Sequence, residues 1–219
     1  MLYIEHIFIA IAAPVLVLCF VAGKDERRHL VSLVGGFLAA LLAGYINSYF
    51  MTLLGLSEGG AAHFLTPVVE ELLKMLPVLF FAEAFVADRK QHNNMAIEIG
   101  LGFAIMENCS YLLNYGADDL TFVIIRGFAT GVLHPVCVLV STMGIHFLME
   151  KRKRAGICFL GCFCAAVLLH GTFNLMISAD GRVFRIIGGL IPIFLAVVFR
   201  ICRKIYNKGK QVESKEEQQ

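Results

Sequence analysis

FLTPVVEELLKMLPVLFFAEAFV, residues 64–86, is the stretch on which the reading of this chain turns. It is apolar and long enough to cross the ~30 Å hydrocarbon core of a bilayer, which takes about 20 residues. Yet it carries Glu70, Glu71 and Lys74 in its first half. Charged groups at membrane depth are costly, and they persist where they pair with one another or line a polar cavity. At about 100° per residue, Glu70 and Glu71 point in different directions and Lys74, one turn on, lies between them. Lys74 can therefore pair with either carboxylate and leave the other facing a cavity.

Working outward, six further apolar runs fall at approximately 4–22, 30–55, 95–115, 121–149, 155–178 and 183–201. The whole chain of 219 residues is 58% hydrophobic and only 16% charged, with a mean hydropathy of +0.74. A soluble domain is nearer a quarter charged, whereas a bilayer solvates this much apolar surface directly. These features predict an all-α, polytopic transmembrane helix bundle of about seven spans. Residues 1–200 form one membrane domain, with its polar motifs between 64 and 178, and residues 201–219 form a polar tail expected to be cytoplasmic and disordered. The first run lacks a basic segment ahead of it, so it reads as a retained span rather than a cleaved signal.

Lys and Arg are distributed unevenly across this scheme. Fifteen fall in the loops after spans one, three and five and in the tail, against Arg182 and Arg185 on the other side. The positive-inside rule then places the N-terminus outside and the C-terminus in the cytoplasm of a multi-pass cell-membrane protein. Seven cysteines lie mostly inside apolar runs and form no Cys-x-x-Cys pair, which suits small packing residues. A net charge of +2 is too small to imply a nucleic-acid partner, and no nucleic-acid-binding motif occurs, so none is expected. Gly127-x-x-x-Gly131 would let span five approach a neighbour closely.

Other spans also carry ionisable groups. Span four holds Glu107-Asn108, span five Arg126 and His134, and span six His170 and Asn174, which share a face at i, i+4. Counted from the outer end of each span at 1.5 Å per residue, Glu70 lies about 9 Å deep, Glu107 and His170 about 12 Å, and His134 about 20 Å. Antiparallel helices would bring these groups into one wet cavity in the outer half of the bilayer. Such a cavity could hydrolyse an amide, which needs water, a base and donors for the oxyanion. A buried Glu can act as that base, and an Asn amide can donate to the oxyanion. Glu70, Glu71, His134 and His170 also contain a two-His-plus-carboxylate set that suits a divalent metal such as zinc. A proton-coupled carrier would need similar groups, and a non-catalytic scaffold could retain them. The serine route is poor, because no Gly-x-Ser-x-Gly occurs.

Glu70-Glu-Leu-Leu-Lys74, Gly102-Phe-Ala-Ile-Met-Glu-Asn108, the segment from Arg126 to His134, and His170 occur in the order that PrsW-type intramembrane proteases show. The chain resembles that family over roughly residues 64–178. The resemblance implies a membrane endopeptidase similar to the type II CAAX prenyl endopeptidases and bacteriocin-immunity relatives. Those usually carry Glu-Glu-x-x-x-Arg; here Met75 stands at the Arg position and Lys74 precedes it, which favours the PrsW branch. In that branch the paired Glu and a His are implicated in activity, and the substrate is a membrane-spanning anti-sigma factor cut first on its extracytoplasmic side. The CAAX alternative would serve a prenylated cytoplasmic protein instead. Some relatives have an Asp four residues after the middle His; Val138 stands there, so no such role carries over. On this reading Glu70 is the water-activating base and Glu71 the partner of Lys74, or the two exchange roles. Glu107 and His134 complete the water site, His170 and Asn174 steady the oxyanion, and Lys74 and Arg126 are structural ion-pair residues, with a snorkelling interfacial position as the alternative for Arg126. Oligomeric state is not set by the sequence.

Overall fold

A computed structural model describes residues 4–85, 88–116, 120–151, 153–179 and 181–216. Seven helices follow one another: α1 (Ile4–Val21), α2 (Lys24–Leu54), α3 (Glu58–Phe85), α4 (Arg89–Tyr115), α5 (Leu120–Met149), α6 (Ala155–Ser178) and α7 (Arg182–Glu216). Among the described residues five of them, α1, α2, α4, α5 and α6, are long and apolar enough to cross a membrane. The charged turn of α3 and the 16-residue apolar part of α7, Val183–Val198, set those two apart.

Polarity is inverted relative to a water-soluble core. Lys74 and His134 are fully buried, while Phe64 is 79% exposed and Leu168 and Phe128 are each 69% exposed. A surface of Leu, Ile, Val and Phe around buried charge is stable only where lipid replaces water outside. The protein is a multi-pass membrane protein.

Helix α4 packs between α2 and α5, with α1 laid against α2 and α4. Helix α3 touches α2, α4, α5 and α6, and α7 covers α5 and α6. Two apolar clusters grip α3. One joins Phe37, Val69, Leu73, Phe103 and Met106; the other joins Val78, Phe81, Ile99, Val138 and Ile145. The polar segment of α3 is thereby held against α4, α5 and α6, the helices that carry the other ionisable groups.

Small residues set these approaches. A Cβ at Gly102 of α4 would run into the Leu33 carbonyl of α2, and one at Gly36 would run into the Ile99 carbonyl. Gly100 lies as closely against the α5 backbone at His134 and Pro135. The expected Gly127-x-x-x-Gly131 contact does not form: nothing lies within 4 Å of a Cβ at either position. Close approach is instead concentrated on α4. Gly102→Val is expected to destabilise the bundle by about 1–3 kcal/mol through overpacking against backbone, read as a lower unfolding temperature in detergent.

Gly55 ends α2 in the left-handed conformation (φ 62°), and its N–H bonds to the Met51 carbonyl. The Asp88 side chain caps α4 by accepting from the Gln91 N–H at 2.9 Å. One expectation is overturned at the end of the chain. The tail is not disordered as far as Glu216, because α7 runs on through it. Lys, Arg, Glu and Gln favour the helical state, and the one Gly there, at 209, costs only about 1 kcal/mol.

Candidate active site

Lys74 is the hub of the buried cluster. Its Nζ lies 2.7 Å from Glu71 Oε1 and 3.9 Å from Glu70 Oε2, as the i+3 and i+4 spacing within α3 requires. The same ammonium lies 2.7 Å from His134 Nδ1 on α5 and 4.1 Å from the ring centroid of Phe103 on α4. Two hydrogen-bond acceptors and an aromatic face thus surround a cation that has no access to water.

This arrangement fixes the histidine tautomers. An ammonium can only donate, so His134 Nδ1 accepts and its Nε2–H donates to Glu107 Oε2 at 2.5 Å. His170 Nδ1 lies 2.8 Å from Glu71 Oε1, and a carboxylate can only accept. His170 therefore donates through Nδ1, and its Nε2 lies 3.7 Å from Glu70 Oε2. The two imidazoles meet edge to face with centroids 5.1 Å apart. Glu71 is thus committed on one oxygen to both Lys74 and His170. That shared oxygen orients His170, while Glu71 Oε2, like Glu70 Oε2, is buried without a hydrogen-bond partner and stays open as a ligand.

Glu107 is held from α5 as well, with Arg126 donating to Oε1 at 2.9 Å. Arg126 also lies over the Tyr111 ring, 3.8 Å from its centroid. It is buried and ion-paired to α4 rather than snorkelling to the interface. The Thr130 hydroxyl sits 2.9 Å from Asn108 Oδ1 and 2.8 Å from the Arg126 carbonyl, tying α4 to α5 a second time. Asn174 lies one turn beyond His170 on α6 and is partly buried.

The backbone of α3 assists this convergence. Pro67 has no N–H for the His63 carbonyl to accept from, and Gly171 of α6 approaches that carbonyl to within 3.0 Å of a Cβ position. The contact places His170 beside Glu71. Sequence reasoning did not find Phe103 or Thr130 as parts of the cluster; an aromatic or a Thr in an apolar helix carries no mark of such a role. It also missed a separate pair, His92 and His146, whose Nδ1 and Nε2 lie 2.9 Å apart between α4 and α5.

Donor atoms of Glu70, His134 and His170 all lie within 4.8 Å of one another. Glu70 Oε2 is buried and has no hydrogen-bond partner. Two imidazoles and one carboxylate with an orphaned oxygen suit a divalent metal of the zinc type, with a coordination position left for water. The cluster opens through Glu107, whose side chain is 25% exposed, into a cavity of about 270 Å³ between α2 and α4 that Glu70, Glu107 and Arg126 all line.

A helical membrane bundle enclosing paired glutamates, two histidines and a polar cavity defines a membrane-embedded hydrolase. The chain belongs to the PrsW family of intramembrane metalloproteases, whose family model matches residues 26–201. It is an intramembrane protease. No curated protein and no solved structure matches it.

Proposed function

We propose that this protease makes the first, extracytoplasmic-side cut in a single-span membrane protein such as an anti-sigma factor. Its N-terminus lies outside, and its C-terminal tail in the cytoplasm. The observation that carries the reading is the buried, unpartnered Glu70 Oε2 beside two oriented imidazoles, with a cavity at its edge. The depth of these groups and the basic loops agree with a cut in the outer half of the bilayer.

Glu70, His134 and His170 would hold a divalent ion such as zinc. When bound, it would supply Lewis acidity toward the scissile carbonyl and the attacking water. The chain's own groups have separate tasks. In its present tautomer only Nδ1 of His134 carries a lone pair, so His134 would serve as a ligand through Nδ1, with Lys74 withdrawing from it and Nε2–H still donating to Glu107. Glu107 lines the cavity, so its carboxylate can take the proton of the attacking water and return it to the leaving amine. Glu71 keeps Lys74 neutralised and holds His170 through Nδ1. The Asn174 amide donates to the developing oxyanion. Metal-free chemistry rests on the same Glu70 oxygen, with Glu70 itself as the base and His170 and Asn174 at the oxyanion. The CAAX reading fits a cytoplasmic cut, and the carrier and scaffold readings lose force from membership of a protease family.

The test is purified protein reconstituted with a single-span probe, with product masses locating the cut. The expected result is one cut in the outer half of the probe span, lost with 1,10-phenanthroline and restored by zinc. Cleavage indifferent to the chelator would assign Glu70 as the base. A cut at the cytoplasmic end would instead favour CAAX-type processing.

A further inference from the structure

The cavity beside Glu107 extends away from the cluster along α2. It is lined there by Ala40, Ala43, Gly44 and Asn47, which share one face at i, i+3, i+4 and i+7. Phe103 and Met106 of α4 form an apolar wall. Asn47 is only 9% exposed, and its Oδ1 is buried without a hydrogen-bond partner. It lies seven residues from the outer end of α2, about 10 Å along the helix. Glu70 Oε2 and Arg126 Nε, on residues lining the same cavity, are also buried and unpartnered. A buried polar group left unpaired is destabilising by about 1–3 kcal/mol, so two unpartnered acceptors and one unpartnered donor around one cavity mark a place built for a polar occupant.

The chemistry of the reaction says what that occupant is. A peptide bond inside a helix has its carbonyl engaged and its backbone wrapped in side chains, so a spanning substrate must unwind before water can attack. Unwound backbone at membrane depth needs hydrogen-bond partners from the protein. We propose that this cavity seats the unwound segment of the substrate span, and that Asn47 is a positioning residue whose Oδ1 accepts from a substrate main-chain N–H beside the scissile bond. Ala40 and Ala43 present only methyl groups to the cavity, and Gly44 admits the Ile4 side chain that closes its other end. The wall of Phe103 and Met106 takes an apolar side chain. The inference rests on the protease reading above.

The experiment uses a synthetic single-span probe in which an ester replaces successive amides around the cut, removing one N–H at a time. Binding is measured on the Glu70→Gln protein, which leaves the probe intact, and cleavage is measured on the Glu70 protein. One ester position is expected to weaken binding about tenfold, the loss of one buried hydrogen bond, and to have less than about a twofold effect once Asn47→Ala is added. On the all-amide probe Asn47→Ala should raise KM about tenfold and leave kcat within about threefold, the pattern of lost uniform binding. An equal ester effect in both proteins, or a loss confined to kcat, would overturn the proposal. Should Asn47→Ala fail to fold, Ala43→Leu narrows the cavity without touching a polar group. It should raise KM for probes with a bulky residue at the cut and spare glycine-substituted ones; equal effects on both would also count against the cavity as the seat. A probe bound with the predicted ester pattern but never cleaved would contradict the protease reading alone, and a probe that is not bound at all would overturn the substrate seat.

Discussion

Glu70→Gln should reduce cleavage by at least about a thousandfold while leaving the bundle folded, within the range that loss of an acid–base group produces and with the metal site lost as well. The asymmetry between activity and stability follows from the contacts. Glu70 Oε2 has no hydrogen-bond partner, and its distance to Lys74, 3.9 Å, is much longer than the 2.7 Å from Lys74 to Glu71. An amide at position 70 therefore removes a carboxylate without stranding Lys74. Side-by-side measurement of probe cleavage and of the unfolding temperature in detergent checks both halves. A large stability loss would mean that Glu70, rather than Glu71, is the structural partner.

Lys74→Met should do the opposite, unfolding the protein at a much lower temperature. It leaves Glu71 completely buried with only His170 as a donor, and Glu70 beside it with no countercharge. Removing one partner from a buried ion pair typically costs about 3–5 kcal/mol. Replacing both partners is far milder than stranding one, so Lys74→Met with Glu71→Gln should recover much of the lost stability. Activity should not return, because His170 would lose the carboxylate that fixes its tautomer. Thermal unfolding of the two single variants and the double variant forms the cycle that reads this coupling.

These two outcomes depend on parts of the molecule that differ in how plainly the sequence displays them. That Lys74 pairs with a glutamate of its own helix was legible from residues 70–74, but spacing left open which one, and the 2.7 Å contact to Glu71 comes from the packing. Helix α6 was legible to the residue, since 155–178 is bounded by charge and by a loop. The helices α2, α3 and α4 begin some six residues before their apolar runs, at Lys24, Glu58 and Arg89. Hydropathy reports the lipid-facing part of a helix, whereas caps such as Asp88 set where the hydrogen bonding starts.

Contacts between helices were less accessible. That Arg126 holds Glu107 depends on how closely α4 meets α5, which is set by Gly100 against the His134–Pro135 backbone. No spacing within one helix encodes that distance. Gly127 and Gly131 carry the right pattern and meet nothing among the described residues, while Gly102, in no such pattern, meets backbone. Asn47 is equally unmarked in the sequence: a lone Asn near a helix end reads as an interfacial residue until the cavity beside it is known. The single metal-capable cluster among the described residues combines Glu70, His134 and His170, each from a different helix, so its ligand set emerges only from the packing.

The central claim is that water attacks a substrate span from the buried cluster of Glu70, His134 and His170. The most direct measurement is cleavage of one single-span probe by purified protein in detergent, with the unsubstituted chain, Glu70→Gln and His170→Ala compared at equal folded concentration. The account predicts one cut by the unsubstituted chain and none above background in either variant. Equal cleavage in all three would contradict it.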